Sequence, residues 1–250
     1  MGNLADISQR ALDVLARVAV IAAEDTRHTA GLLAHYGLGT PLTPCHEHNE
    51  EKLVPRLLGR LAAGEDLALV SDAGTPLISD PGYPLVAAAR AAGIKVVPIP
   101  GPNAAICALS AAGLPSDRFL FLGFPPRARS RRRDWIASLA REPGTLVFYE
   151  AGNRVLETLA DLATSLGPQR RAVVARELTK RFETFLIGTL EDLPPRLRGD
   201  PDQQKGEFVL LVEGSRDQAT IEAEGERVLA ILARERPLKQ AAALAAEVSG

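Results

Sequence analysis

What most constrains this chain is an alternation. Apolar runs of four to eight residues are separated by longer segments of helical spacing, and glycines mark the changeovers. Short, continuously apolar runs must be covered on both faces, as strands of a parallel sheet flanked by helices are. In the first half, strands are predicted at Val18–Ala23, Asp66–Ser71 and Lys95–Ile99, with a weaker one at Pro41–Pro44. Helices are predicted over Thr29–Tyr36, Glu50–Ala63, Pro84–Ala92 and Ala104–Ala112. Asn49 stands where it would cap the second helix, and Gly37, Gly64 and Gly93 stand where helices end in positive φ.

The alternation restarts after Gly113-Leu114-Pro115-Ser116. Strands are predicted at Arg118–Leu122, Thr145–Tyr149, Ala172–Arg176, Phe182–Ile187 and Phe208–Val212, and helices at Arg132–Arg141, Val155–Leu166 and Leu190–Leu197. A charged helix is expected over 221–236 and an apolar one over Leu238–Val248. The fold class is therefore α/β, with two α/β domains of parallel or mixed sheets over 1–114 and 115–216, and a helical extension over 217–250. No repeat relates the halves.

Bulk properties exclude several classes. No apolar run approaches the roughly 18–20 residues of a membrane span, and no basic flank with an apolar core opens the chain. Two cysteines, Cys45 and Cys107, rule out a disulfide framework and make a reducing cytoplasm the expected compartment. A net charge of −2 is not that of a general nucleic-acid binder, but it hides an asymmetry. Residues 1–115 hold 8 Lys/Arg and 11 Asp/Glu, whereas six arginines fall within 118–133, a stretch that contains no acid. A local patch steers polyanions even where the total is near zero.

Three Gly/Pro-rich segments follow predicted strands, where open α/β sheets carry their ligands. They are Ser71–Gly82, Pro98–Ala105 and Tyr149–Asn153. Each alone is explained as a tight turn; together they suit a ligand approached by backbone groups. No G-x-G-x-x-G follows a strand and no phosphate loop occurs, which argues against nicotinamide cofactors and nucleoside triphosphates. Cys45-His46-Glu47-His48 invites a metal reading, but a structural zinc site needs a second cluster, and none is legible; no metal is expected.

Taken in order, Gly2–Ile7, Ala23–Thr29, Ser71–Gly82, Pro100–Ala105, Phe148–Gly152, Ala175–Lys180 and Gly206–Leu210 resemble the tetrapyrrole methylase superfamily, the class III methyltransferases. The blocks Glu24–Arg27 and Ser71–Pro76 resemble its branch that modifies small-subunit ribosomal RNA. That resemblance implies S-adenosylmethionine held in an interdomain cleft and a homodimer. It also implies methyl transfer to a cytidine ribose 2′-hydroxyl in the decoding region of 16S ribosomal RNA within the 30S subunit. The alternatives are C-methylation of a precorrin or uroporphyrinogen, and a non-catalytic nucleotide-binding module. By position, the resemblance implies cofactor contacts from Gly74, Thr75, Pro76, Ile78, Ala104 and Ala105. It adds Tyr149, Glu150, Leu178, Gly206 and Glu207 as second-domain contacts. The superfamily opens with an apolar strand before its Gly-rich loop, and the branch continues past position 250. A first strand and a last helix are therefore expected to be missing from this sequence.

Asp25 and Arg27 end a predicted strand. They read either as a helix cap with its ion pair or as acceptor-side residues, Arg27 on phosphate and Asp25 orienting or deprotonating the hydroxyl. Lys180, with Glu177, reads either as a surface ion pair or as a phosphate ligand that favours the ionised hydroxyl. Arg127, Arg129, Arg131, Arg132 and Arg133, beside Phe124-Pro125-Pro126, form the expected RNA patch; a solvated helix start is the alternative.

Overall fold

The computed structural model describes residues 2–215, 227–234 and 236–249. The chain forms two compact units: Met1–Ala108 with Glu177–Glu183, and Leu109–Arg176 with Thr184–Gly250. The division falls upstream of the boundary expected near residue 114.

The first unit is built on a three-stranded parallel sheet of order β2-β1-β3, with β1 at Val20–Ala23, β2 at Leu42–Pro44 and β3 at Leu67–Val70. All four residues of β1 are buried. Ile21 and Ala23 pack with Leu15 and Leu33, while Ala22, pointing the other way, packs with Cys45, Leu57 and Leu85. Helices α1 (Gln9–Arg17), α2 (Thr26–His35), α3 (Glu50–Ala62), α4 (Tyr83–Ala91) and α5 (Ala104–Ala111) accompany the strands. Helix α1 was not expected. Ser8 caps it, accepting from the Ala11 amide at 3.2 Å, and Leu15 is its one buried residue.

Gly37, Gly64 and Gly93 carry the expected positive φ. Asn49 precedes α3 but does not cap it. Its Oδ1 accepts from the His46 amide (2.8 Å) and its Nδ2 donates to the Pro44 carbonyl (3.0 Å), leaving Glu50 and Glu51 to favour the helix start electrostatically. Lys95–Ile99, expected as a strand, lies outside both sheets. β3 is therefore left as an edge strand among the described residues.

The second unit carries a five-stranded sheet of order β4-β5-β8-β6-β7. Its strands are β4 (Phe119–Gly123), β5 (Thr145–Ala151), β6 (Arg171–Arg176), β7 (Thr184–Thr189) and β8 (Glu207–Val212). β4 and β5 are parallel; β8 runs antiparallel to both β5 and β6, and β7 antiparallel to β6. Helices α6 (Arg129–Ser138), α7 (Val155–Leu166) and α8 (Leu193–Arg198) belong to this unit. Leu146, Phe148, Val174, Phe208 and Leu210 from the sheet and Ile136, Val155, Leu159, Leu162, Leu193 and Leu197 from the helices form one core. Each fully buried side chain of this size contributes about 1.5–3 kcal/mol.

Of the charged helix expected over 221–236, residues 221–226 and 235 lie outside the described residues, and 227–232 are helical. The last helix spans Leu238–Ser249.

Candidate active site

In the first unit the strand ends carry the polar groups. Asp25 leaves β1 and caps α2, its Oδ1 accepting from the Arg27 amide at 2.8 Å. The Arg27 guanidinium clasps the same carboxylate, Nε to Oδ1 at 3.0 Å and Nη2 to Oδ2 at 2.6 Å. The Arg27 side chain is otherwise 89% exposed. These charge-assisted bonds hold Asp25 well below the usual carboxylate range. A carboxylate so stabilised is a poor proton acceptor.

The Asp25 amide donates to Asp72 Oδ1 (3.0 Å), and the Asp72 amide to Glu24 Oε2 (3.2 Å), so the loops after β1 and β3 are tied to each other. His28 Nδ1 lies 3.2 Å from Asp72 Oδ2. Asp25, His28 and Asp72 thus bring three donor atoms within 4.8 Å of one another, but Arg27 already neutralises one of them. Cys45, of the Cys45–His48 stretch, is buried, and burial pushes its thiol up.

The loop Ser71–Gly82 holds an unusual backbone. Leu77 (φ 74°) and Ser79 (φ 64°) take the left-handed conformation that L side chains resist. The loop is pinned where Thr75 Oγ1 donates to the Pro102 carbonyl (3.2 Å) and where the Gly82 amide donates to Glu50 Oε2 (2.7 Å). Gly82, at φ 121°, precedes α4 in a conformation only glycine adopts freely. The Thr75 bond joins the two segments expected to bind cofactor, that of Gly74, Thr75, Pro76 and Ile78 and that of Ala104 and Ala105.

Asp80, which was not singled out from the sequence, is half-buried, and its Oδ2 has no hydrogen-bond partner. Burial pushes its carboxyl up to about 6. The Ser71 hydroxyl approaches and opposes the rise without reaching hydrogen-bond geometry, while Glu24 and Asp72 add to it.

The segment Glu177–Glu183 connects β6 to β7 but is part of the first unit. Leu178 and Lys180, expected on the second domain, therefore belong with Gly2, whose added Cβ would stand 2.6 Å from Lys180 Cγ. Lys180 Nζ donates to Glu177 Oε1 at 2.9 Å, and the Thr179 amide to Glu183 Oε2 at 2.6 Å. Glu177 (φ 50°) and Thr179 (φ 64°) complete the set of positive-φ residues other than glycine among the described residues.

In the second unit, Tyr149 and Glu150 on β5 are brought next to Gly206 and Glu207 by the antiparallel pairing with β8. The Glu150 side chain corrects the expectation, because it is fully buried. Thr158 Oγ1 donates to it at 2.6 Å, the Ala151 amide at 2.9 Å, and Arg154 Nη2 lies 3.5 Å away. Its carboxylate is bound within the fold. The Tyr149 ring packs on Phe121 and Phe124, with centroids 5.0 and 5.6 Å away.

The arginine patch also needs correction. Arg127, Arg129, Arg131 and Arg133 are exposed, but Arg132 is 1% exposed and bound to the equally buried Asp161, with Nε to Oδ2 at 2.8 Å. Arg132 Nη2 also reaches Glu157 Oε2 at 3.2 Å, and Arg129 Nε reaches Asp161 Oδ1 at 3.4 Å. Acids absent from the local sequence arrive from α7. Asp161 lies off the apolar stripe Val155, Leu159, Leu162, Leu166, so the spacing of α7 alone does not mark it as buried.

Residues 1–194 match the family described as Tetrapyrrole (Corrin/Porphyrin) Methylases, and 219–250 match the RsmI C-terminal HTH domain. The protein of Xylella fastidiosa named ribosomal RNA small subunit methyltransferase I is 57% identical over 251 residues, covering 100% of this chain and 92% of that protein. Its namesake from Escherichia coli O157:H7 is 53% identical, over 100% of this chain and 88% of that protein. Among solved structures, uroporphyrin-III-C-methyltransferase from Thermus thermophilus matches with a TM-score of 0.56 at 25% identity, over 85% of this chain and 90% of the other. The methyltransferase CobJ gives 0.60 at 20% identity, over 84% and 88%, a likeness of fold alone. The chain therefore belongs to the tetrapyrrole methylase family, in the branch of the ribosomal RNA small subunit methyltransferase I proteins.

Proposed function

We propose that this protein is an S-adenosylmethionine-dependent methyltransferase that modifies a cytidine ribose 2′-hydroxyl in the decoding region of 16S ribosomal RNA, acting on the 30S subunit as a cytoplasmic homodimer. The observation that carries the proposal is full-length identity of 46–57% to relatives that bear the small-subunit ribosomal RNA methyltransferase name.

The cofactor loops fit such a ligand. Ser71 Oγ and Asp80 Oδ2 are buried without hydrogen-bond partners, as polar groups of a ligand-binding loop are before their ligand arrives. Gly74 through Ile78 would supply main-chain groups, and the small Ala104 and Ala105 would leave room for an adenosine. Leu178, Tyr149, Gly206 and Glu207 are the other proposed contacts, without the buried Glu150 carboxylate. Bound S-adenosylmethionine supplies a methyl group on an already activated sulfonium.

The protein's own share is then positioning and proton management. Arg27, exposed beyond its bond to Asp25, is suited to a phosphate, and Asp25 to orienting that arginine rather than to taking a proton. Lys180 is proposed to bind phosphate while held by Glu177. Arg127, Arg129, Arg131 and Arg133 are proposed to hold the RNA backbone. The test is methyl transfer from labelled cofactor to purified 30S subunits, with uroporphyrinogen as the competing acceptor. Transfer to 30S alone is expected, and transfer to the tetrapyrrole alone would replace this reading with the C-methylation alternative.

A further inference from the structure

Phe124 is out of place by the logic of burial. The core of its unit fully buries Phe148 and nearly buries Phe208, yet Phe124 stays 56% exposed at the end of an edge strand. It is nevertheless held. The pairing of β4 with β5 shifts register between Phe121 and Gly123, and Gly123 turns at φ 63°, which swings the next side chain out of the strand's alternation. Pro125 and Pro126 then fix two backbone angles. Arg154 Nη2 donates to both of their carbonyls, at 2.8 and 3.1 Å, and Arg154 is itself paired with the buried Glu150. The Tyr149 ring supports the Phe124 ring from one side at 5.6 Å. One face of a rigidly mounted aromatic is thus offered to solvent.

The exposed Arg127 and Arg131 follow directly, the second in the first turn of α6. An exposed aromatic ring followed in the chain by exposed guanidinium groups matches an unpaired nucleobase and its flanking phosphates. A base-paired A-form helix hides the faces of its bases, and a free nucleoside cofactor buries most of its surface rather than lying on an open ring.

We propose that Phe124 is a stacking platform for one unpaired base of an RNA strand whose phosphates lie on Arg127 and Arg131. The proposal rests on the ribosomal RNA reading above and adds the single-stranded character of what the surface takes.

The test uses the full chain and a fluorescently labelled single-stranded oligoribonucleotide, with a hairpin that carries the same sequence base-paired in its stem as control. Base stacking on one aromatic sets the scale, so Phe124→Ala is expected to weaken single-strand binding about 5- to 100-fold. The salt dependence should stay the same, because no charge is removed. Phe124→Trp should restore binding, whereas Phe124→Leu, which keeps apolar bulk without a ring, should not. Hairpin binding, S-adenosylhomocysteine affinity by calorimetry and oligomeric state by sedimentation should not change. Unchanged single-strand affinity in Phe124→Ala, or full affinity in Phe124→Leu, would overturn the platform. Loss of S-adenosylhomocysteine binding would give the ring to the cofactor, and a shifted oligomeric state would give it to a second copy. Either result overturns the proposal. If the wild type binds the strand through Phe124 yet fails to methylate 30S subunits, the ribosomal RNA reading falls and the platform stands.

Discussion

Removing Arg132 should damage the fold and not the RNA surface. The Arg132 and Asp161 side chains are each 1% exposed and joined at 2.8 Å, so Arg132→Ala leaves the buried carboxylate with only the longer 3.4 Å contact to the exposed Arg129, beside the space the arginine filled. Breaking such a pair from one side costs about 3–5 kcal/mol, against a total stability of about 5–15 kcal/mol for a typical protein. A chain of this size loses roughly 2–4 °C of melting temperature per kcal/mol, so a drop of about 6–20 °C is expected. The paired substitution Arg132→Met with Asp161→Leu removes both charges and keeps apolar volume, and it should recover most of the loss. Chemical denaturation of the single and double variants measures both numbers, and 30S binding of the folded protein should be unchanged. A loss below about 1 kcal/mol for Arg132→Ala, or a double variant no better than the single, would refute the reasoning.

Thr75→Trp should abolish S-adenosylhomocysteine binding by filling the loop and breaking the bond to Pro102; affinity that survived in calorimetry would move the cofactor elsewhere. Replacing the exposed Arg127, Arg131 and Arg133 by Ala should weaken 30S binding and flatten its salt dependence, since fewer counterions are released; an unaltered slope would return them to a solvated helix start. Asp25→Asn keeps the cap and removes a carboxylate that Arg27 already holds charged. Its single-turnover rate should fall less than about 10-fold, and a loss of 10²–10⁴-fold would establish Asp25 as a general base. Asp80 has a folded pKa of about 6 against an unfolded value near 4, so the folded state binds the extra proton between them. Stability should therefore fall as pH rises from about 4 to about 6 and level off above. Asp80→Asn should remove that slope in denaturation curves, and an unchanged pH profile would reassign it.

Legibility followed the range of the interactions. Helix α7 was read at its observed bounds, and β1 and β3 within a residue or two, because apolar periodicity is local. The three C-cap glycines were read for the same reason. Helix α1 was missed: its burial falls on Leu15 alone, and the Ser8 cap went unweighed. Lys95–Ile99 was overread because an apolar run records a preference for burial and not the presence of a neighbouring strand. The arginine cluster failed more instructively. Its acids lie 25 to 32 positions away on α7, where a linear count of neighbouring charge does not look. Glu150 differs, since its Thr158 and Arg154 partners are only 8 and 4 positions away; what the strand pattern does not show is that its side chain turns inward to meet them.

The candidate site was legible as composition and illegible as conformation. Gly and Pro marked Ser71–Gly82 as a turn-rich loop, but the residues that take left-handed φ there are Leu77 and Ser79, and in the other loop Glu177 and Thr179. None of these side chains advertises that geometry. Each such residue costs on the order of 1–3 kcal/mol and persists only where its surroundings over-determine it. Those surroundings are visible: Thr75 on Pro102 and Gly82 on Glu50 in one loop, Thr179 on Glu183 and Lys180 on Glu177 in the other. Strain of this kind, concentrated in two loops of one unit and offset by polar ties, is what a preorganised binding surface requires. A loop that relaxed on its own would have to be ordered again by every ligand, and affinity would fall by that ordering cost. The ties therefore matter as much to the proposed site as the residues that would touch the cofactor, and Glu50 and Glu183 belong to it although neither stands in a recognisable motif.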